Sequence, residues 1–190
     1  MHCRIREAVV PGFCFFNDKF SDLKKVFMRI VVLGVGNTLL TDEGVGVRAV
    51  EKLQLDFDLP PEVVVIDGGT TGMEMLEDLS NSDHIIIIDA VRGGNAPASI
   101  IRLAGEQVPV FFKTKLSPHQ IGLSDVLATL VLTGEQPGGV TVIGIEPVSL
   151  ETGMELSPQV EAVLPEVVRL VVAELSQLGI NVKSFSAEAV

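Results

Sequence analysis

Tryptophan and tyrosine are absent from this chain, so the protein will be nearly invisible at 280 nm. Cysteine is almost absent too: Cys3 and Cys14 are the only two, and neither lies in a CxxC pair. That excludes a disulfide framework and makes a cytoplasmic compartment the default expectation. Long hydrophobic runs are missing as well. No apolar stretch reaches the roughly 20 residues of a membrane helix, because Gly, Asn or Asp breaks each one. Basic residues are scarce, 14 Lys and Arg against 25 Asp and Glu, for a formal charge of −11. Phosphate binding wants clustered Lys and Arg, so nucleic acid is excluded as the main partner. A partner that is a cation, a metal ion or a basic peptide fits this balance. Also lacking are a P-loop lysine, a Gly-x-Ser-x-Gly elbow and any Ser or Cys with a nucleophile's local signature.

What is present fits one folded domain of 190 residues, with 47% apolar and 21% charged residues. Residues 1–27 differ from the rest, with five Lys/Arg against three Asp/Glu and both cysteines. A signal peptide is not expected there, because Pro11 and Gly12 interrupt the apolar Ala8–Phe16 stretch and no cleavage site follows. The expectation is an N-terminal extension, disordered or produced by an early start codon, ahead of a single domain over 28–190. From Met28 onward strand and helix patterns alternate. Ile30–Gly34, Val63–Ile66, Ile85–Ile88 and Val140–Ile145 read as buried strands. Gly44–Leu55, Met73–Leu79, a helix from Ser117-Pro118 to about Leu132, and one from Ser157-Pro158 to Gly179 read as helices, with Pro165 expected to kink or split the last. Ser117 and Gln120 spell a capping box, with Pro118 at the first helical position. Gly93-Gly94-Asn95-Ala96-Pro97 reads as a turn that returns Ala98–Arg102 as a strand beside the third. The fold class is therefore α/β: a three-layer sandwich with a mostly parallel twisted sheet of about five strands and helices on both faces.

The unusual polar residues fall at strand ends. Gly34-Val35-Gly36-Asn37 follows the first strand, Asp67 the second, Asp89 the third and Glu146 the last, while Glu43 opens the first helix. In open α/β sheets ligands bind outside the carboxyl ends of the strands. His119 lies in the first turn of a capped helix, where the positive end of the macrodipole favours neutral imidazole. Glu43, Asp89 and His119 together would make a mixed nitrogen and oxygen site for a divalent ion such as Zn, Ni, Mn, Co or Fe. Each residue alone has a plainer reading. Asp42 or Glu43 can be a helix cap or dipole partner. Asp67 before Gly68-Gly69 can be an Asx turn. His84 reads as a surface histidine. The Gly34-x-Gly36 pair lacks the third glycine of a dinucleotide fingerprint, since position 39 is Leu39. Its glycines instead let the backbone turn sharply next to a site.

Five stretches taken in order resemble the hydrogenase maturation endopeptidases, which process the large subunit of [NiFe] hydrogenases. They are Gly34-Val35-Gly36-Asn37-Thr38-Leu39-Leu40-Thr41-Asp42-Glu43-Gly44-Val45-Gly46, Asp67-Gly68-Gly69-Thr70, Asp89-Ala90, Ser117-Pro118-His119-Gln120 and Gly144-Ile145-Glu146-Pro147. The resemblance spans residues 28 to about 179. It implies an endopeptidase that removes a C-terminal extension from the large-subunit precursor after nickel insertion. It implies metal binding at Glu43, Asp89 and His119, and an acid associated with activity at Asp67. Asp67 and Asp89 are the catalytic candidates, and Glu146 is not assigned as a ligand. The nickel is expected to arrive with the precursor, and Zn or Cd to occupy the same site in vitro. Whether hydrolysis is aspartic-type or metal-assisted stays open. A monomer is expected, because cutting a large partner's tail needs an open edge. The competing readings are a non-catalytic factor that binds nickel and precursor, and a metal-dependent hydrolase of small molecules.

Overall fold

The structure, a computed structural model, describes residues 28–109 and 118–185, with residues 118–121 described for backbone only. The expectations for residues 1–27, for Ser117 and for the His119 side chain lie outside the described residues. In chain order the elements are β1 (Ile30–Val35), a 3-10 turn (Thr41–Gly44), α1 (Val45–Asp56), β2 (Phe57–Asp58) and β3 (Val63–Gly69). A second 3-10 turn (Met73–Met75), α2 (Leu76–Leu79), β4 (His84–Ala90) and β5 (Ile100–Ala104) follow. Then come α3 (Pro118–Thr133), β6 (Val140–Ile145), α4 (Pro158–Gln177) and β7 (Lys183–Ser184). The main sheet has five strands in the order β3-β1-β4-β6-β5, and β2 pairs with β7 in a small separate ribbon.

In the main sheet β1, β3, β4 and β6 run parallel and β5 runs against β6, while β2 and β7 pair antiparallel. The fold is the α/β sandwich that the alternating pattern implies. Alternation along each strand splits the apolar residues between two layers. Ile30, Val32, Ile86, Ile88, Ile143 and Ile145 meet α1 and α4 on one face. Val31, Leu33, Val35, Ile85, Ile87 and Val142 meet α2 and α3 on the other. The run Ile85–Ile88 is thus buried on both sides, which is why it carries no polar alternation. Burying each such side chain stabilises the fold by about 1.5–3 kcal/mol.

Three expectations need correction. The strand after the Gly93–Pro97 turn does not lie beside β4; it pairs with β6, Ile100 opposite Ile145 and Ala104 opposite Thr141. β6 is buried almost throughout and takes the inner place, while the half-exposed β5 with its Arg102 suits an edge. Second, Pro165 does not split α4, which continues through it from Pro158 to Gln177. Proline forfeits its own hydrogen bond, but Pro165 is solvent-exposed, and the helix is held by the buried stripe Val160, Leu164, Val167, Val168 and Val171. Third, His84 is not a free surface histidine. It is half-buried, and its Nε2 lies 2.9 Å from Thr141 Oγ1.

Candidate functional site

β1 sends its connections both ways, to β3 on one side and, after the chain returns, to β4 on the other. The carboxyl ends of β1 and β4 therefore flank the switch point of the sheet, where open α/β proteins hold ligands. Glu43 and Asp89 are the acids at that crevice. Asp89 is 2% exposed and Glu43 8%. The 3-10 turn carrying Glu43 lies against β4.

Glycine makes this approach possible. Gly36 has φ 135°, and a Cβ there would stand 1.7 Å from the Glu43 carbonyl oxygen. A Cβ on Gly46 would stand 2.2 Å from the Ile88 carbonyl oxygen. Any larger residue would push the Glu43 turn away from β1 and β4. The sharp backbone turn beside the site, expected from the glycines, is present.

Asp89 alternates with Ile88 and Ala90, which face the α1 and α4 layer, so its side chain belongs to the opposite face, the one covered by α3. α3 runs from the carboxyl edge to the amino edge. Near its start, Gly122 packs on Gly72 just beyond β3, and past its end the Glu135 carbonyl accepts from Asn81 N–H ahead of β4. The backbone of His119, in the first turn of α3, is therefore at the same edge as Glu43 and Asp89. Among the described residues no three His, Cys, Asp or Glu side chains form a metal-holding group. Two buried carboxylates are there, and the backbone of the first turn of α3 lies at the same edge.

Asp67 stands apart. It is exposed, and its Oδ1 accepts from Gly69 N–H at 3.0 Å, the Asx turn expected of Asp-Gly-Gly. A Cβ on Gly68 would meet Leu33 and Met75, in the α3 layer, so Asp67 starts from the opposite face to Asp89. Glu146, which sequence reading did not assign as a ligand, clamps the turn after β4. Its carboxylate accepts from the backbone N–H groups of Gly93, Gly94 and Asn95 at 2.7–3.1 Å. Burial pushes its pKa up, but those three donors and the Asn95 amide outweigh burial and hold it below the ordinary carboxylate value.

Asp42 is not the cap that sequence reading allowed. It makes no side-chain cap to its own turn. It is fully buried and reaches across to residues 148–157, accepting from Val148 N–H, Ser149 N–H and the Ser157 hydroxyl, each at 2.9 Å, and from Ser157 N–H at 2.6 Å. No local motif announces this role, because its partners lie more than a hundred residues away.

Fold and edge define an open α/β protein with buried carboxylates, rather than a phosphate loop, at the carboxyl ends of its strands. Comparison with known proteins then fixes the family. A family model described as hydrogenase maturation protease matches residues 47–174, and the chain belongs to that family. It is 51% identical over 155 residues to the hydrogenase 2 maturation protease of Escherichia coli, covering 81% of this chain and 94% of that one. It is 40% identical over 156 residues to the hydrogenase expression/formation protein HupD of Rhodobacter capsulatus, covering 81% and 74%. The solved hydrogenase maturating endopeptidase HybD of E. coli superposes with a TM-score of 0.82 at 48% identity, over 85% of this chain and all 100% of that one. The protein is a peptidase of hydrogenase maturation.

Proposed function

We propose that this chain removes the C-terminal extension of a [NiFe] hydrogenase large-subunit precursor once nickel is in place. Glu43, Asp89 and His119 would read the nickel carried by that precursor. The observation that carries the proposal is the burial of Glu43 and Asp89 together at the switch point. Two buried carboxylates beside a helix start supply the oxygen donors of a mixed-ligand site for a divalent cation. With an imidazole added, the donor set is of the intermediate, nitrogen-and-oxygen kind that suits nickel and zinc.

The surroundings fit a polypeptide rather than a small molecule. Leu39, Met73, Val148 and Met154 are exposed apolar side chains, all in the segments that follow β1, β3 or β6 at the carboxyl edge. Exposed apolar residues gathered round a polar crevice mark a place where another chain lies. In this reading Asp67, at the rim and fixed by its own turn, orients the incoming peptide or the attacking water. Asp89 deeper in the crevice meets the metal and stands as the alternative base.

The deciding experiment incubates the protein with nickel-free and nickel-loaded precursor side by side and follows release of the C-terminal peptide. Cleavage of the loaded form alone is expected. Equal cutting of both would remove nickel from recognition. Binding of the loaded precursor without release would leave a non-catalytic factor.

A further inference from the structure

Asp42 precedes Glu43 in the same 3-10 turn, yet none of its side-chain bonds serves that turn. Both carboxylate oxygens are spent on the far side of the crevice. Oδ2 accepts from Val148 N–H, Ser149 N–H and the Ser157 hydroxyl, and Oδ1 accepts from Ser157 N–H. The contact is reciprocated by the backbone. Thr41 N–H donates to the Gly153 carbonyl at 2.8 Å, Thr41 Oγ1 to the Ser149 carbonyl at 2.8 Å, and Gly153 N–H to the Leu39 carbonyl at 2.9 Å. Between them sits Thr41 at φ 42°, a β-branched residue in the left-handed region. Such a conformation costs about 1–3 kcal/mol and persists only where the surroundings impose it. The anion is also well placed electrostatically, because Ser157 caps the N-terminus of the 20-residue helix α4.

We propose that Asp42 is a positioning residue for the peptidase reaction: it acts through Glu43, by clamping the loop that carries Glu43 to the 147–157 loop. This rests on Glu43 being a site residue, as argued above. The chemistry demands a carboxylate. Four donors converge on two acceptor oxygens, and asparagine would turn an NH2 group toward at least one of them. With that side released, the strained Thr41 relaxes and Glu43 leaves its place against β4.

The test is a double-mutant cycle of Asp42→Asn and Glu43→Gln, read by single-turnover cleavage of nickel-loaded precursor with enzyme in excess. Nickel titration of the isolated protein gives a second readout. Asp42→Asn should lower the cleavage rate and the nickel affinity by about 10- to 100-fold, as loss of a group orienting a ligand does. In the Glu43→Gln background it should add little. Val167→Ala, buried in α4 away from the edge, is the control for lost stability and should leave nickel affinity unchanged. Additive losses in the cycle would overturn the proposal, as would a Val167→Ala protein of equal melting temperature with the same loss. If Asp42→Asn does not fold, Ser157→Ala, which deletes one of the four donors, replaces it in the cycle with a smaller expected effect of the same coupled form. Unchanged nickel binding in Glu43→Gln would sink the nickel reading alone, while the coupling in cleavage would still judge the clamp.

Discussion

Glu43, Asp89 and Asp67 all end strands or follow them, yet their surroundings differ. The first two are withdrawn into the crevice, whereas Asp67 faces water and is anchored by its own Gly69 N–H. Asp67→Asn keeps that turn, because the amide oxygen still accepts. It should lose most cleavage while nickel affinity stays at the wild-type value; a parallel loss of both would abolish the division of labour. Gly36→Ala meets both a disfavoured φ of 135° and a collision with the Glu43 carbonyl. It should therefore cost about 1–3 kcal/mol in backbone strain and weaken nickel binding at least about tenfold, as displaced ligands do. Calorimetry and metal titration of one sample check both. At this scale the sequence was informative where a motif is local: the acids at strand ends and the glycines that make room for them could be read directly. Asp42 could not, because its meaning depends on Val148, Ser149 and Ser157, which only the folded chain brings to it.

Among the elements, β1, β3, β4 and β6 declared themselves as short apolar runs ended by Gly, Asp or Glu, and the structure keeps each within a few residues of its expected bounds. Their pairing order was less visible. An apolar run such as Val140–Ile145 says that a strand is buried, not which neighbour it takes, so β5 was expected beside β4 when β6 lies between them. Helix α4 carries a comparable lesson. Pro165 signals a break, but an exposed proline on an otherwise well-buried helix leaves the Glu161 carbonyl to water and the packing intact. Replacing it should expose the hidden cost. Pro165→Ala gains about 3 kcal/mol of helix propensity and returns about 1 kcal/mol of unfolded-chain entropy. The midpoint of urea unfolding should rise, with unchanged slope; no rise would mean that α4 has already adapted to its proline.

For the molecule as a whole, a polar chain ties β4, β6 and the edge strand β5 to α4. His84 Nε2 meets Thr141 Oγ1, Thr141 donates to Glu174 Oε1, and Arg102 grips Glu174 through Nε and a terminal nitrogen, both at 2.8 Å. Burial lowers the His84 pKa below 6.5, outweighing the pull of Glu174 in the other direction. Burial pushes Glu174 up, but Arg102 and Thr141 overcome it and hold Glu174 below 4.5. Both groups then bind more protons unfolded than folded over their respective windows. The stability they supply is complete above pH 6.5, falls first as His84 is forced to charge, and falls again below pH 4.5 as Glu174 is protonated. Melting temperatures taken from neutral pH downward should decline in that order, and His84→Gln should flatten the upper part of the decline. A profile unchanged by that substitution would show that His84 contributes nothing to it. The bonds of Asp42 have a further consequence, in time rather than space. They join residues 106 to 115 positions apart. Contacts of such separation form late, and a chain leaving the ribosome from its N-terminus cannot make them until residue 157 has emerged. A nascent or truncated protein that already contains Glu43 and Asp89 still lacks the bonds that fasten the Glu43 loop. A protease whose cut cannot be undone thus completes this part of its crevice near the end of its own synthesis.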